Sequence, residues 1–212
     1  MSRPTIHAPE RGDARTRLLE AARDLIRERG YAGTSIEDLC RSAGVSKGAF
    51  FHHFADKSAL GVAAAEFWAE TTAAFFAAAP YHAPADPLDR VLAYIAFRRS
   101  IIAGPIPGFV CLVGTLASEV YVTGPAIRDA AARSIFGHAA TLEADIGEAM
   151  TSRGITAPEP ASLARYFQVA LQGGFILAKA GDDATFAREA LDHLDRYIRL
   201  LFNLESYRAD NE

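Results

Sequence analysis

Residues 34–60 read TSIEDLCRSAGVSKGAFFHHFADKSAL, a run that spells two short helices meeting at a tight turn. Thr34-Ser35-Ile36-Glu37 has the form of a capping box, in which a hydroxyl and a glutamate each satisfy an orphan N–H of a new helix. That helix runs through Leu39 to about Ala43 and stops at Gly44, which can take the positive φ that the turn needs. Ser46 caps the next helix, Lys47 to about Phe54, and Asp56 caps a longer one carrying Leu60, Ala64, Phe67, Trp68 and Phe75. Ile36, Leu39, Cys40 and Ala43 form the inner stripe of the first helix. Val45, Ala49, Phe50 and Phe54 close the angle, and Phe50, Phe51 and Phe54 are expected in a small core. Ser46, Lys47, Gly48, His52 and His53 are left facing outward. Such a helix fits a major groove: the lysine and histidines can donate to phosphate oxygens or base edges, and a glycine allows close approach. Adjacent histidines project about 100° apart on a helix and cannot chelate one ion together, so no metal is expected.

Outward from this run, the chain of 212 residues reads as all-α, with about nine helices. Alanine is abundant, and alternating β-branched runs bounded by turn pairs are absent. Leu18, Ala22, Leu25 and Ile26 share a face of a helix from Asp13 to Arg29, which Gly30 ends. Further helices are expected at about 86–103, 109–121, 125–153, 159–180 and 184–204. Residues 1–12 read as a flexible arm, 13–55 as a helix-turn-helix domain and 56–212 as the remainder. Two cysteines, Cys40 and Cys111, are too few for a disulfide framework or metal cluster and suit a reducing cytoplasm. Apolar runs are interrupted by charge before the ~18 residues that a membrane span needs. The net charge of −4 divides into +2 over residues 1–60 and −6 over the rest, so the N-terminal end is the better partner for phosphate. No catalytic motif or phosphate-cradling loop appears, and neither an enzyme nor a cofactor is expected.

Residues 15–61 resemble the DNA-binding domain of the TetR family of transcriptional regulators. The matching elements are Arg29-Gly30-Tyr31, Gly33-Thr34-Ser35-Ile36, Ala43-Gly44-Val45-Ser46-Lys47-Gly48, Phe51-His52-His53-Phe54 and Lys57-Ser58-Ala59-Leu60. The resemblance implies that Thr34, Ser46, His53 and Lys57 hold phosphates of double-stranded operator DNA, while Lys47, Gly48 and His52 face bases. The family often has a tyrosine where this chain has Phe51, which has no hydroxyl to donate. The resemblance also implies a homodimeric repressor released by a small-molecule effector, paired through the helices at 159–180 and 184–204. On the last helix Ala187, Leu191, Leu194, Ile198 and Leu201 form the apolar stripe offered for this pairing, with monomer core as its alternative. The long helix from Asp56 would carry the ligand's effect to the reader. A helical ligand-binding protein without DNA activity is the competing reading, and it leaves the exposed Ser46-Lys47-Gly48 and His52-His53 unexplained.

Candidate effector-lining residues are Trp68, Tyr94, Arg98, Cys111, Phe136, Gln172 and Phe175. The polar ones are the better markers, because a buried polar group must find a partner. Pro107 to Gly114 resembles the glycine-cysteine-leucine start of the sixth helix in one branch of the family, some of whose members sense electrophiles or oxidants through that cysteine. Here Phe109 and Val110 separate Gly108 from Cys111. Cys111 is therefore either a sensor, with Lys179 favouring its thiolate, or a small buried hydrophobe.

Overall fold

The computed structural model describes residues 13–204; the arm expected over 1–12 lies outside them. Ten α-helices run along the described chain: α1 (Ala14–Arg29), α2 (Ile36–Ala43), α3 (Lys47–His53), α4 (Lys57–Ala77), α5 (Pro87–Ser100), α6 (Leu112–Val120), α7 (Pro125–Ala140), α8 (Glu143–Ser152), α9 (Pro160–Gly181) and α10 (Thr185–Leu201). The segment expected as one helix over 125–153 is two, because Thr141 and Leu142 bond back three residues instead of four and close the first helix in a tight turn. A 3-10 turn at Ile106–Gly108 occupies the approach to α6, which starts at Leu112, three residues later than expected.

The first four helices are closed by local hydrogen bonds. Asp13 caps α1 through the Thr16 N–H, Ser46 caps α3 through that of Ala49, and Asp56 caps α4 through that of Ala59. The box at α2 sits one residue later than the sequence suggests. Ser35 Oγ accepts from the Asp38 N–H at 3.1 Å, and the Asp38 carboxylate accepts from the Ser35 N–H at 3.1 Å. Gly44 ends α2 in the left-handed region, φ 62°.

The core divides into two clusters that do not follow chain order. Leu18, Ile26, Leu39, Phe50 and Leu60 of the reader end share one cluster with Leu112, Leu116 and Ile127 of α6 and α7. The other gathers α5, α8, α9 and α10 around Tyr94, Ile146, Phe167 and Leu191. Gly174 lets α9 approach α10 closely, since a Cβ there would stand 3.1 Å from the Ala187 backbone; Gly173 faces open space. The α10 stripe offered for dimer contact is corrected to protomer core: Ala187, Leu191, Leu194 and Ile198 are all buried within one chain. The apolar residues that α9 and α10 leave outside are Tyr166, Val169, Ile176, Leu177, Phe186, Tyr197 and Leu200.

Candidate DNA-reading helix and ligand cavity

Phe50 and Phe54 anchor α3 on the core, and Arg17 braces the turn before it by donating from Nη1 to the Ala43 and Gly44 carbonyls. Ser46, Lys47, Gly48 and His52 stand exposed along one side, with His53 half-buried beside them. Lys47 is ion-paired with Glu37 of α2, so this side of the reader is self-neutralised until a stronger anion competes. A Cβ on Gly48 would meet only the Ser46 hydroxyl, at 3.7 Å. Nothing among the described residues therefore requires glycine there, although glycine within a helix costs about 1 kcal/mol relative to alanine.

Two expectations for this surface are corrected, and the structure gives Lys57 a further contact. Thr34 is fully buried and its hydroxyl donates to the Gly30 carbonyl at 2.7 Å, so it closes the end of α1 and is not open to phosphate. Phe51 is 54% exposed: Phe50 and Phe54 already fill the inner side of so short a helix, and Phe51 lies edge-on to Phe50 at the surface. Lys57 is half-buried; its Nζ donates to the Tyr31 carbonyl at 2.6 Å and sits 4.2 Å from the Tyr31 ring centre. Burial pushes its pKa down. It straps α4 to the end of α1, with its remaining donors available for other partners.

A cavity of about 450 Å³ opens among α1, α4, α5, α7 and α9 and the approach to α6. Trp68, Arg98, Cys111, Gln172 and Phe175 line it as expected, together with Arg27, Phe76, Phe109, His138 and Gln168. Phe136 does not: it lies on the outer side of α7, 58% exposed, and its helix presents Ser134, Ile135 and His138 to the cavity instead. Tyr94 stands behind the lining, fully buried, with its hydroxyl 2.8 Å from His138 Nε2. Burial, helped by the positive charge of Arg98, pushes the His138 pKa down to about 4, so the imidazole is neutral at pH 7.

Cys111 is half-buried at the N-cap position of α6. Arg27, buried over the Trp68 ring at 5.1 Å, donates from Nε to the neighbouring Val110 carbonyl at 2.8 Å. Lys179 donates to Thr115 Oγ1 at 3.2 Å, and Thr115 in turn donates to the Cys111 carbonyl. Both cations are within electrostatic reach of Cys111. Cys40 differs: it is buried, and desolvation raises its pKa.

The sequence reading missed Arg27, Glu119, His138 and Gln168. Glu119, near the end of α6, accepts the Ala32 N–H at 2.8 Å, so α6 is pinned to α1 near its start through Val110 and near its end through Glu119. Gln168 carried a visible signal, a lone polar residue beside Phe167 and Leu171 on the buried stripe of α9. Arg27 and Glu119 carried none, since their partners lie 83 and 87 residues away. Among the described residues, no group of three or more His, Cys, Asp or Glu is placed to hold a metal ion, and no helix is long and apolar enough to cross a membrane.

An exposed basic helix on a capped turn and a ligand-sized hollow beside it define a helix-turn-helix protein with a cavity. The family of bacterial regulatory proteins named for TetR matches residues 18–64, and the tetracycline-repressor-like C-terminal domain matches residues 87–194. The chain belongs to the TetR family of transcriptional regulators. The transcriptional regulator UidR of Escherichia coli is 44% identical over 46 residues; that match spans 22% of this chain and about a quarter (24%) of UidR's length. The transcriptional repressor NemR of E. coli is 28% identical over 198 residues, covering 88% of this chain and 94% of NemR. The crystal structure of its reduced form superposes with a TM-score of 0.73 at 26% identity, over 87% of this chain and 96% of that one. A TetR regulator from Chloroflexus aurantiacus gives 0.72 at 29% identity, over 87% and 93%.

Proposed function

We propose that this regulator is a ligand-responsive repressor, a cytoplasmic homodimer that sets two α3 helices into major grooves of a near-palindromic operator and lets go when a small molecule fills the cavity. The observation that carries the reading is Gly48, a helical glycine that no described residue requires, set among exposed Ser46, Lys47 and His52. We take residues 13–55 as the reader and the remainder as effector and dimer domain, and assign the chain no catalytic step. The apolar residues left outside by α9 and α10, with Gly173 among them, are the surface we assign to the second copy. Coupling runs through α6 as well as α4: a ligand that shifts Val110 and Cys111 pulls on Arg27 of α1, and Glu119 transmits tilting of α6 to the α1–α2 turn. Such coupling typically amounts to ~1–3 kcal/mol, or ~5–150-fold in affinity. Selection of DNA from a random pool by the full chain tests this. Half-sites separated by one helical turn, ~34–36 Å, or a multiple are expected. Absence of any sequence preference refutes it.

One observation favours an electrophile as effector: Cys111 lines the cavity within electrostatic reach of Arg27 and Lys179, while Cys40 is sealed in the reader core. Brief alkylation of the native protein is expected to label Cys111 before Cys40 and to release operator DNA, and Cys111→Ser is expected to bind DNA but ignore the reagent. Mass spectrometry reads the outcome, and an unlabelled Cys111 leaves only a reversible effector.

A further inference from the structure

The cavity is walled largely by rings, Trp68, Phe75, Phe76, Phe109 and Phe175, yet it also holds cations. Of its three arginines, Arg23 is spent on Asp24 at the rim and Arg27 on the Val110 carbonyl. Arg98 has neither an ion pair nor a hydrogen bond among the described residues. Its guanidinium lies 5.0 Å from the Phe76 ring centre, and its Nε is buried without an acceptor. The groups that feel its charge are Tyr81, Tyr94 and His138, all neutral at pH 7. Nearby, Gln168 is 9% exposed; its amide lies beside the Tyr94 hydroxyl, but Nε2 completes no hydrogen bond. A guanidinium Nε and an amide Nε2 that are both buried without a hydrogen bond are costly to the empty protein, since a buried donor left unmatched forfeits its hydration.

We propose that the cavity takes an organic monoanion, a carboxylate on an apolar body, with Arg98 as its counter-ion and Gln168 as a second donor. The inference rests on the effector-pocket reading above and names the class of ligand. The guanidinium fork matches a carboxylate's two oxygens, and the ring walls receive the apolar remainder. A neutral ligand would leave the charge of Arg98 without a counter-ion.

The test uses the full chain and three probes, 2-naphthoate, 4-phenylbutyrate and octanoate, each against its primary amide, with isothermal titration calorimetry as readout. At least one acid is expected to bind about tenfold or more tightly than its amide, the usual size of a charge-assisted hydrogen bond. Arg98→Met, which keeps an apolar stem over Phe76, is expected to bring that acid down to the level of its amide and leave the amide unchanged. Equal binding of every acid and its amide overturns the proposal, as does an acid that binds Arg98→Met undiminished, and so does failure of all three acids to bind. The acid–amide comparison needs no variant, so it stands whether or not Arg98→Met folds. Operator binding measured in parallel separates the two readings. A chain that binds its operator but prefers neutral ligands loses the anion and keeps the repressor, whereas a chain with no operator loses the repressor itself.

Discussion

The reader and the cavity body are both helical, but they are closed differently. In the reader, Asp13, Ser35, Ser46 and Asp56 each satisfy an N–H three residues on, and Thr34 reaches back four to Gly30. In the body the defining bonds span the chain: Tyr94 to His138, Arg90 to Asp145, Arg188 to the Ile102 carbonyl and Arg99 to Asp192. A unit closed locally presents its outer face in fixed geometry, as a surface that must match a rigid duplex requires. A unit closed at long range can hold a hollow, and it moves as a whole when one wall is displaced. Arg27 and Glu119 join the two, and they are the contacts through which the proposed coupling would pass.

The largest effect expected from breaking this contrast is at α10. Leu194 is 2% exposed and Leu200 is 73% exposed, on the same helix. Leu194→Glu places an unpaired carboxylate in the protomer core and is expected to abolish the fold, or to cost several kcal/mol. Leu200→Glu is expected to leave helicity intact and to dissociate the dimer, with loss of operator binding. Circular dichroism with light scattering reads both. A Leu200→Glu protein that stays folded and dimeric moves the interface elsewhere.

A smaller effect is expected from acid on the cavity side. His138 has a folded-state pKa of about 4 against an unfolded 6.5, so the unfolded chain binds more protons between those values. Its stabilisation is complete above pH 6.5 and is lost as pH falls toward 4, at no more than about 1.4 kcal/mol per pH unit. His138→Gln keeps a hydrogen-bonding partner for Tyr94 but does not titrate. Urea unfolding of the two proteins between pH 7.5 and 4.5 is expected to give the variant the shallower slope; parallel slopes mean that His138 titrates alike in the folded and unfolded chains.

How much of this was legible follows from the same contrast. Gly44, the caps at Ser46 and Asp56 and the exposed Lys47-Gly48 pair could be read because each depends on residues within one turn of the chain. The same local reading misplaced the α2 box by a residue, because Thr34-Glu37 and Ser35-Asp38 both offer a hydroxyl three residues before a carboxylate and only burial of Thr34 chooses between them. Phe51 and Phe136 were misassigned for a related reason: an aromatic residue on a short or two-sided helix does not say which side is inward. Leu194 was read on the correct stripe, but periodicity cannot tell a protomer core from an interface. The Arg27–Val110 and Tyr94–His138 contacts had no sequence signal, being products of tertiary closure alone.

Lys47 and Gly48 bring the comparison to its finest point. Lys47→Ala is expected to weaken specific operator binding by on the order of 1–3 kcal/mol, the usual worth of a base-edge contact, while freeing Glu37. Gly48→Ala is expected to act with opposite signs on two measurements. In the free protein the new methyl group meets only the Ser46 hydroxyl at ordinary contact distance, so the stability of the reader rises by up to ~1 kcal/mol as the helix loses its most flexible residue. On DNA the same methyl group occupies the space through which α3 approaches the groove, and operator affinity falls. The control is Gly174→Ala in the body, where a Cβ would stand 3.0 Å from that of Ala190 and 3.1 Å from the Ala187 backbone, so stability falls with no direct effect on the reading face. Thermal unfolding and operator titration of both variants decide the matter. If Gly48→Ala is more stable and binds operator as well as the parent, the α3 face does not enter the groove closely, and the reading of this glycine as a contact surface is wrong.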